Sequence, residues 1–224
     1  MTYDNAAKYT LNIPADFPTD SDVAYSCPGF ILLGIILEKV YGKRLDAISR
    51  DLVFKPPGMS STGFMPKECK NIVNSNFSEN MLGTVNDYNA QHLGCIAGNA
   101  GVFSNMTDMK RFAKMLLEKG NPIISEKTFD FARQNLTPGM SAARGLGFLY
   151  VDERYKQTGN LFPKGSFGHC GHTGQSVFVN VESGLSVIIL SDTIKCAEKK
   201  CGKPNYDIVK KMREDIHNAI NEDI

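Results

Sequence analysis

Apolar residues along the chain follow two different periods. From Pro28 and Gly29 onward, Leu33, Ile36, Leu37 and Val40 recur at three and four positions, the spacing of one helix face, until Gly42 ends the run. RLDAISRDLVF, residues 44–54, continues as a second short helix, and the turn at Pro56, Pro57 and Gly58 closes it. Thr107 is placed to cap a third helix, whose Met109, Phe112, Leu116 and Leu117 share a face before Gly120 stops it. In the last third the period changes. GLGFLYV (145–151), SFGHCGH (166–172), QSVFVNV (175–181) and LSVIILSD (185–192) are rich in β-branched and aromatic residues, and Glu182, Ser183 and Gly184 supply a hairpin turn between the last two. Beyond Pro204 helical spacing returns: Tyr206, Val209, Met212, Ile216 and Ile220 form a stripe that has to cover something, and the obvious something is a face of the antiparallel sheet. The pattern predicts an α+β fold in one domain, 1–224, helical over roughly 1–140 and sheet plus terminal helix over 141–224.

The totals narrow the partners more than the fold. A chain of 224 residues, 42% of them hydrophobic, can bury a core. Lys and Arg number 25 against 24 Asp and Glu, a formal charge of +1, and no basic stripe interleaves with aromatics, so nucleic acid is not the expected partner. The longest apolar stretch, FILLGIIL at 30–37, falls far short of the ~20 residues a membrane span requires. The opening MTYDNAAKYTLNIP lacks the charged start and apolar core of a secretory signal, which as written implies the cytoplasm. Reduced thiols are then the expectation for Cys27, Cys69, Cys95, Cys170, Cys196 and Cys201, and the last two are spaced wrongly for a CxxC knuckle.

The densest chemistry lies in FGHCGHTGQS, 167–176. Glycine weakens a strand unless backbone must approach something closely, and Gly168, Gly171 and Gly174 therefore suggest a ligand beside His169 and His172. Side chains alternate on a strand, so His169 is expected on one face and Cys170 and His172 on the other. The two histidines then cannot both line one cleft, and no zinc site is expected from this trio. His172 reads as a hydrogen-bonded structural residue, His92 as a helix or loop histidine, and His217 as a solvated helix-face residue.

With its downstream strands this segment, FGHCGHTGQSVFVNVESGLSVIILSD, resembles the last strands of the serine β-lactamase and penicillin-binding protein superfamily, and more closely the β-lactamase-related serine hydrolases near the class C enzymes. In that family the strand carries Lys-Thr-Gly or His-Thr-Gly, followed by a second Thr-Gly. The literal His172, Thr173, Gly174 competes with another register. The downstream residues align only if Thr173 and Gly174 are the second Thr-Gly, which makes His169, Cys170 and Gly171 the motif, with cysteine where threonine is usual. Upstream, YSCPGFILLGIILEKVYGKRLD looks like the family's Tyr-Ser-Asn or Tyr-Ser-Asp segment and its helix, and DLVFKPPGMSSTGF and GTVNDYNAQHLGCIAGNAGVFSNMTDMKRFAKMLLEKG look like further family stretches in the right order. The likeness runs from roughly residue 10 to the terminal helix and implies a β-lactamase/transpeptidase-like fold.

The resemblance also implies roles. Tyr25 takes the place of the proton shuttle, and His169 that of the sheet-edge residue that holds a substrate carboxylate. Both are expected to border one groove. Cys27, Gly171 and His172 fall at substrate-binding positions, although Cys27 is a weak donor and acceptor where the family has an amide or carboxylate. The family's nucleophile is a serine followed three positions later by lysine, well upstream of the tyrosine. Here only 24 residues precede Tyr25, and no serine has that lysine. Thr107 to Lys110 and Cys196 to Lys199 have the spacing at the wrong place, and no Gly-x-Ser-x-Gly elbow substitutes. The expectation is a C-terminal part of a serine hydrolase, inert alone, using no cofactor and no metal. Its partners would be a small-molecule or peptide ligand (a β-lactam, an ester or a cell-wall peptide), a second copy, or a complementing N-terminal chain. The alternative is a non-catalytic binding or assembly module; full-length relatives are often extracytoplasmic.

Overall fold

A computed structural model of the chain describes residues 3–67, 71–74, 79–152, 158–160, 162–192 and 206–222. These divide after Asp108 into two units. Cys69, Cys196, Cys201, the Cys196 to Lys199 spacing and Pro204 lie outside the described residues.

In the first unit, helix α1 (Tyr3–Leu11) packs on α2 (Cys27–Tyr41). Both ends of α2 follow from local chemistry. The Ser26 hydroxyl accepts the Gly29 N–H, Pro28 occupies the first turn, and Gly42 leaves the helix at φ 61°, a left-handed conformation glycine takes without penalty. Ile31 and Ile35 turn inward onto Ala6, Val85, Ala90, Leu93 and Ala97. The Glu38 carboxylate accepts the Leu45 N–H at 2.7 Å and so ties α2 to α3 (Leu45–Ser49). The second short helix expected over 44–54 begins as α3 and widens into a π-type turn, Arg50–Phe54, before the Pro-Pro-Gly turn. Helix α4 (Tyr88–His92) is capped by Asp87 and carries His92 at its end. Strands β1 (Gly63–Phe64) and β2 (Val102–Phe103) form an antiparallel pair too short to leave a period in the sequence.

Helix α5 (Met106–Leu117) begins in the first unit and continues into the second. Its cap is Asn105, whose side-chain oxygen accepts the Asp108 N–H at 2.9 Å, and not Thr107. The helix starts one residue before Thr107, which leaves the threonine inside the first turn. Asp108 is buried and accepts the Ser61 N–H and the Thr62 hydroxyl at 2.7 and 2.9 Å.

The second unit is built on a four-stranded antiparallel sheet in the order β3 (Leu149–Tyr150), β4 (Phe167–Cys170), β5 (Ser176–Asn180), β6 (Leu185–Ile189). All four expected strands exist, each shorter than its apolar run. Gly145 and Gly147 make a turn that hands Arg144 back to Leu149, and Gly184 at φ 69° closes the β5–β6 hairpin as expected. One face carries Phe167 and Val179 onto Ala113, Met115 and Leu116 of α5 and Phe129 of α6 (Glu126–Ala132). Phe129 and Phe148 both meet Phe167 edge to face. The other face carries Leu149, Phe178, Val187 and Ile189 onto the terminal helix α7 (Tyr206–Glu222), through Met212, Ile216 and Ile220. The stripe therefore covers the sheet, while Tyr206 stays largely exposed.

His217 corrects the reading of that helix. It is 0% exposed, its ring edge-on to Phe162 at 4.7 Å and to Phe178 at 5.8 Å. Val209, Arg213 and His217 recur at four, so the buried face of α7 is wider than its aliphatic stripe and includes two polar residues. Among the described residues no helix is long and apolar enough to cross a membrane.

Candidate functional site

The expected site residues fall into two groups, one in each unit. Tyr25 and Cys27 stand together at the entry to α2 in the first. Tyr25 is well exposed on the extended segment before the helix, and Cys27 is the first helical residue, a half-buried thiol. The Ser26 cap between them fixes where the segment stops being extended, and so sets the direction in which Tyr25 leaves the helix. A second segment of chain is pressed against α2 at Phe30 and Gly34. A Cβ on Gly98 would lie 2.0 Å from the Phe30 carbonyl oxygen, so only glycine lets the Ile96–Gly101 segment pass so close. Asp87 anchors that segment by accepting from Asn99 Nδ2 at 3.1 Å as well as capping α4.

His169, Cys170, Gly171 and His172 stand together in the second unit, on β4 and the turn after it. His169 pairs with Val177 across to β5 and shares the α5–α6 face, while Cys170 packs with the α7 face, the alternation the sequence requires. His172 is not on the strand. β4 stops at Cys170 because the Gly171 N–H turns to the Gln175 carbonyl at 2.7 Å and Gly174 takes φ 127°. The His172 ring lies 5.2 Å from that of Tyr206 on α7, with Nε2 within 3.3 Å of the phenol oxygen. The close approaches that explain the glycines are to the protein itself. A Cβ on Gly168 would meet the Val177 carbonyl oxygen at 2.0 Å, and one on Gly171 would meet Gln175 Oε1 at 2.7 Å, so tight packing against β5 and its turn, in place of a ligand, accounts for them.

Electrostatics separate His169 from the cation its position suggests. Burial pushes its pKa below the ordinary value; the hydrogen bond to the Cys170 carbonyl opposes this, and the positive charges of Arg144 and Arg213 reinforce it. At neutral pH the ring is uncharged. Its Nδ1–H donates to the Cys170 carbonyl at 2.9 Å, since a carbonyl can only accept, and the lone pair therefore sits on Nε2. A neutral imidazole in this tautomer takes a proton through Nε2 and gives no cationic clamp to a carboxylate.

Arg213 escaped the sequence reading. It is 4% exposed, on the sheet side of α7, and its Nη2 donates to the carbonyls of Gly171 and, at 2.9 Å, Gln175, while Nε reaches the Gly174 carbonyl at 3.3 Å. The fork of one guanidinium thus holds three carbonyls of the turn that ends β4. Its only signal in the sequence is its place four residues after Val209 and four before His217 on an otherwise apolar face.

The family described as Beta-lactamase matches residues 2–199, and the chain belongs to it. The superfamily is that of the serine β-lactamases and penicillin-binding proteins, and the fold is the expected α+β, β-lactamase/transpeptidase-like one. Across 213 residues the chain is 27% identical to the N-acetylmuramyl-L-alanine amidase of Bacillus subtilis (strain 168), an alignment covering 84% of this chain and 48% of the amidase. The crystal structure of a β-lactamase from Mycobacterium bovis superposes with a TM-score of 0.69 at 19% identity, covering 92% of this chain and 66% of that one. The octameric penicillin-binding protein homologue from Pyrococcus abyssi gives 0.61 at 17% identity, over 91% and 48%. The chain thus spans about half the length of the amidase it resembles.

Proposed function

We propose that this chain is the tyrosine- and histidine-bearing part of a β-lactamase-related serine hydrolase, of the penicillin-binding protein and esterase kind, and that these 224 residues do not acylate by themselves. One observation carries the reading: the family's motifs run in order through the sequence, yet no serine in it is followed three positions later by lysine. In this reading Tyr25 relays the proton of a serine supplied by further polypeptide, the His169 ring accepts a proton at Nε2, and Cys27, Gly171 and His172 lie along the substrate. An amide or ester of a cell-wall peptide is the substrate class favoured by the Bacillus relative's name.

The test is covalent labelling. The chain, treated with a fluorescent penicillin and with a fluorophosphonate, should gain no mass. A fusion in which the amidase segment preceding the match is joined in front of residue 1 should be labelled, and Tyr25→Phe should suppress that labelling. An adduct on the chain alone, or none on the fusion, overturns the reading. A second reading, a module that assembles with a complementing N-terminal chain or a second copy, is supported by α2, whose Phe30, Leu33, Leu37 and Val40 lie on one face and are exposed.

A further inference from the structure

We propose that α2 is the seam through which two copies of this chain pair, side by side and antiparallel. The inference deepens the assembly reading above and rests on it, and it is independent of the hydrolase chemistry. Phe30, Leu33, Leu37 and Val40 follow one another at three, four and three positions, the spacing of a helix-to-helix seam, with Ile36 and Tyr41 on its flanks. All six are between 40 and 73% exposed, while Ile31 and Ile35 fill the core on the other side of the helix. A helix apolar on both sides is built for neighbours on both sides. Area decides whether one further copy suffices. The six side chains leave roughly 500 Å² of apolar surface in water, a patch of the size that marks an interaction site. A symmetric pair that covers both patches removes about 1,000 Å², where specific interfaces begin.

Charge decides who the neighbour is and which way it runs. The seam itself carries no charged residue, and Glu38 beside it is turned to the Leu45 N–H. The segment leading into α2 carries Asp20 and Asp22, and the exit of the helix carries Lys39, Lys43 and Arg44, all of them exposed. Arg44 faces Asp46 at 3.6 Å, an exposed pair that leaves the exit net basic. A second copy laid antiparallel brings the acidic approach of each helix beside the basic exit of the other, twice over through the two-fold axis. Laid parallel, it would set like charge against like. The antiparallel order also opposes the two helix dipoles. About that axis Leu33 meets Leu37 of the second copy and Phe30 meets its Val40, a large side chain against a small one, at a crossing angle of about 20°.

The experiment is sedimentation velocity of the whole chain from about 1 to 100 μM, where a pair held by such an area is expected to form reversibly. Leu33→Glu puts a good helix former at an exposed site, so its far-UV circular dichroism should match the parent's while the chain stays monomeric throughout. Lys43→Glu with Arg44→Glu should weaken pairing at least about tenfold at low salt, and Asp20→Lys with Asp22→Lys should do the same. Mixed together, the two reversed chains should pair with each other. Pairing unchanged by either reversal overturns the antiparallel order, because a parallel pair exchanges one like-charge contact for another. A parent that is monomeric at the highest concentration, or a dimer that Leu33→Glu leaves whole, overturns the proposal altogether. A monomeric parent that co-sediments with the separately made amidase segment preceding the match keeps the assembly reading with a different occupant. One that does not ends that reading as well.

Discussion

The two units hold their chemistry in opposite ways. In the second, His169 stands on a strand with a packed layer on either face, and its surroundings set its tautomer and its charge. In the first, Tyr25 stands on an exposed segment, located by one serine cap and the helix behind it. A residue inside a packed layer is tuned by what surrounds it. A residue at an exposed helix entry is placed chiefly by the backbone that leads into the helix.

The contrast can be broken by substitution. The largest effect is expected in the packed unit: Phe178→Ala removes a side chain with 0% exposure that touches Phe162, His217 and the α7 layer, and should cost about 4 kcal/mol in urea unfolding. A loss near zero would mean that the sheet is not the mechanical centre of the unit. Next comes acid. Burial, and after it the charge of Arg213, hold His217 down at about 4 against an ordinary 6.5. The unfolded chain therefore takes up the proton first, and stability should be level above pH 6.5 and fall by about 3 kcal/mol on the way down to pH 4. His169, shifted in the same direction, adds to the slope. Unfolding followed across this range should lose most of its pH dependence in His217→Leu; an unchanged slope would assign it to other groups. The smallest effect belongs to the first unit. Ser26→Ala, which deletes the α2 cap, should cost about 1 kcal/mol by circular dichroism on denaturation, and a loss as large as that of Phe178→Ala would erase the contrast.

What the sequence made legible follows the same division. The limits of α2 could be read because Pro28 and Gly42 act on their own neighbours, although the Ser26 cap went unread. The opposed faces of His169 and Cys170 could be read because alternation is a property of the backbone. The end of β4 could not, since Cys170 is its last residue only by virtue of a bond from Gly171 to Gln175 and a cation 42 positions away. His217 was misjudged for a related reason: a count of aliphatic positions cannot register that Phe162 and Phe178 close over a polar residue. The Thr107 cap failed because α5 begins two residues earlier than a cap there requires, with Asn105 doing the capping. The family motifs were legible throughout, and they located Tyr25 and His169 without revealing that burial would strip the latter of its charge.

The close passage of Gly98 beside the Phe30 carbonyl has a consequence for the history of the gene. At Gly63, where a new methyl would find open space and the backbone is ordinary, drift can try many letters. At Gly98 it can try none without first moving the Phe30–Gly34 stretch of α2. Within the first unit, the chain's tolerance of change is thus narrow along α2, the helix that Tyr25 precedes.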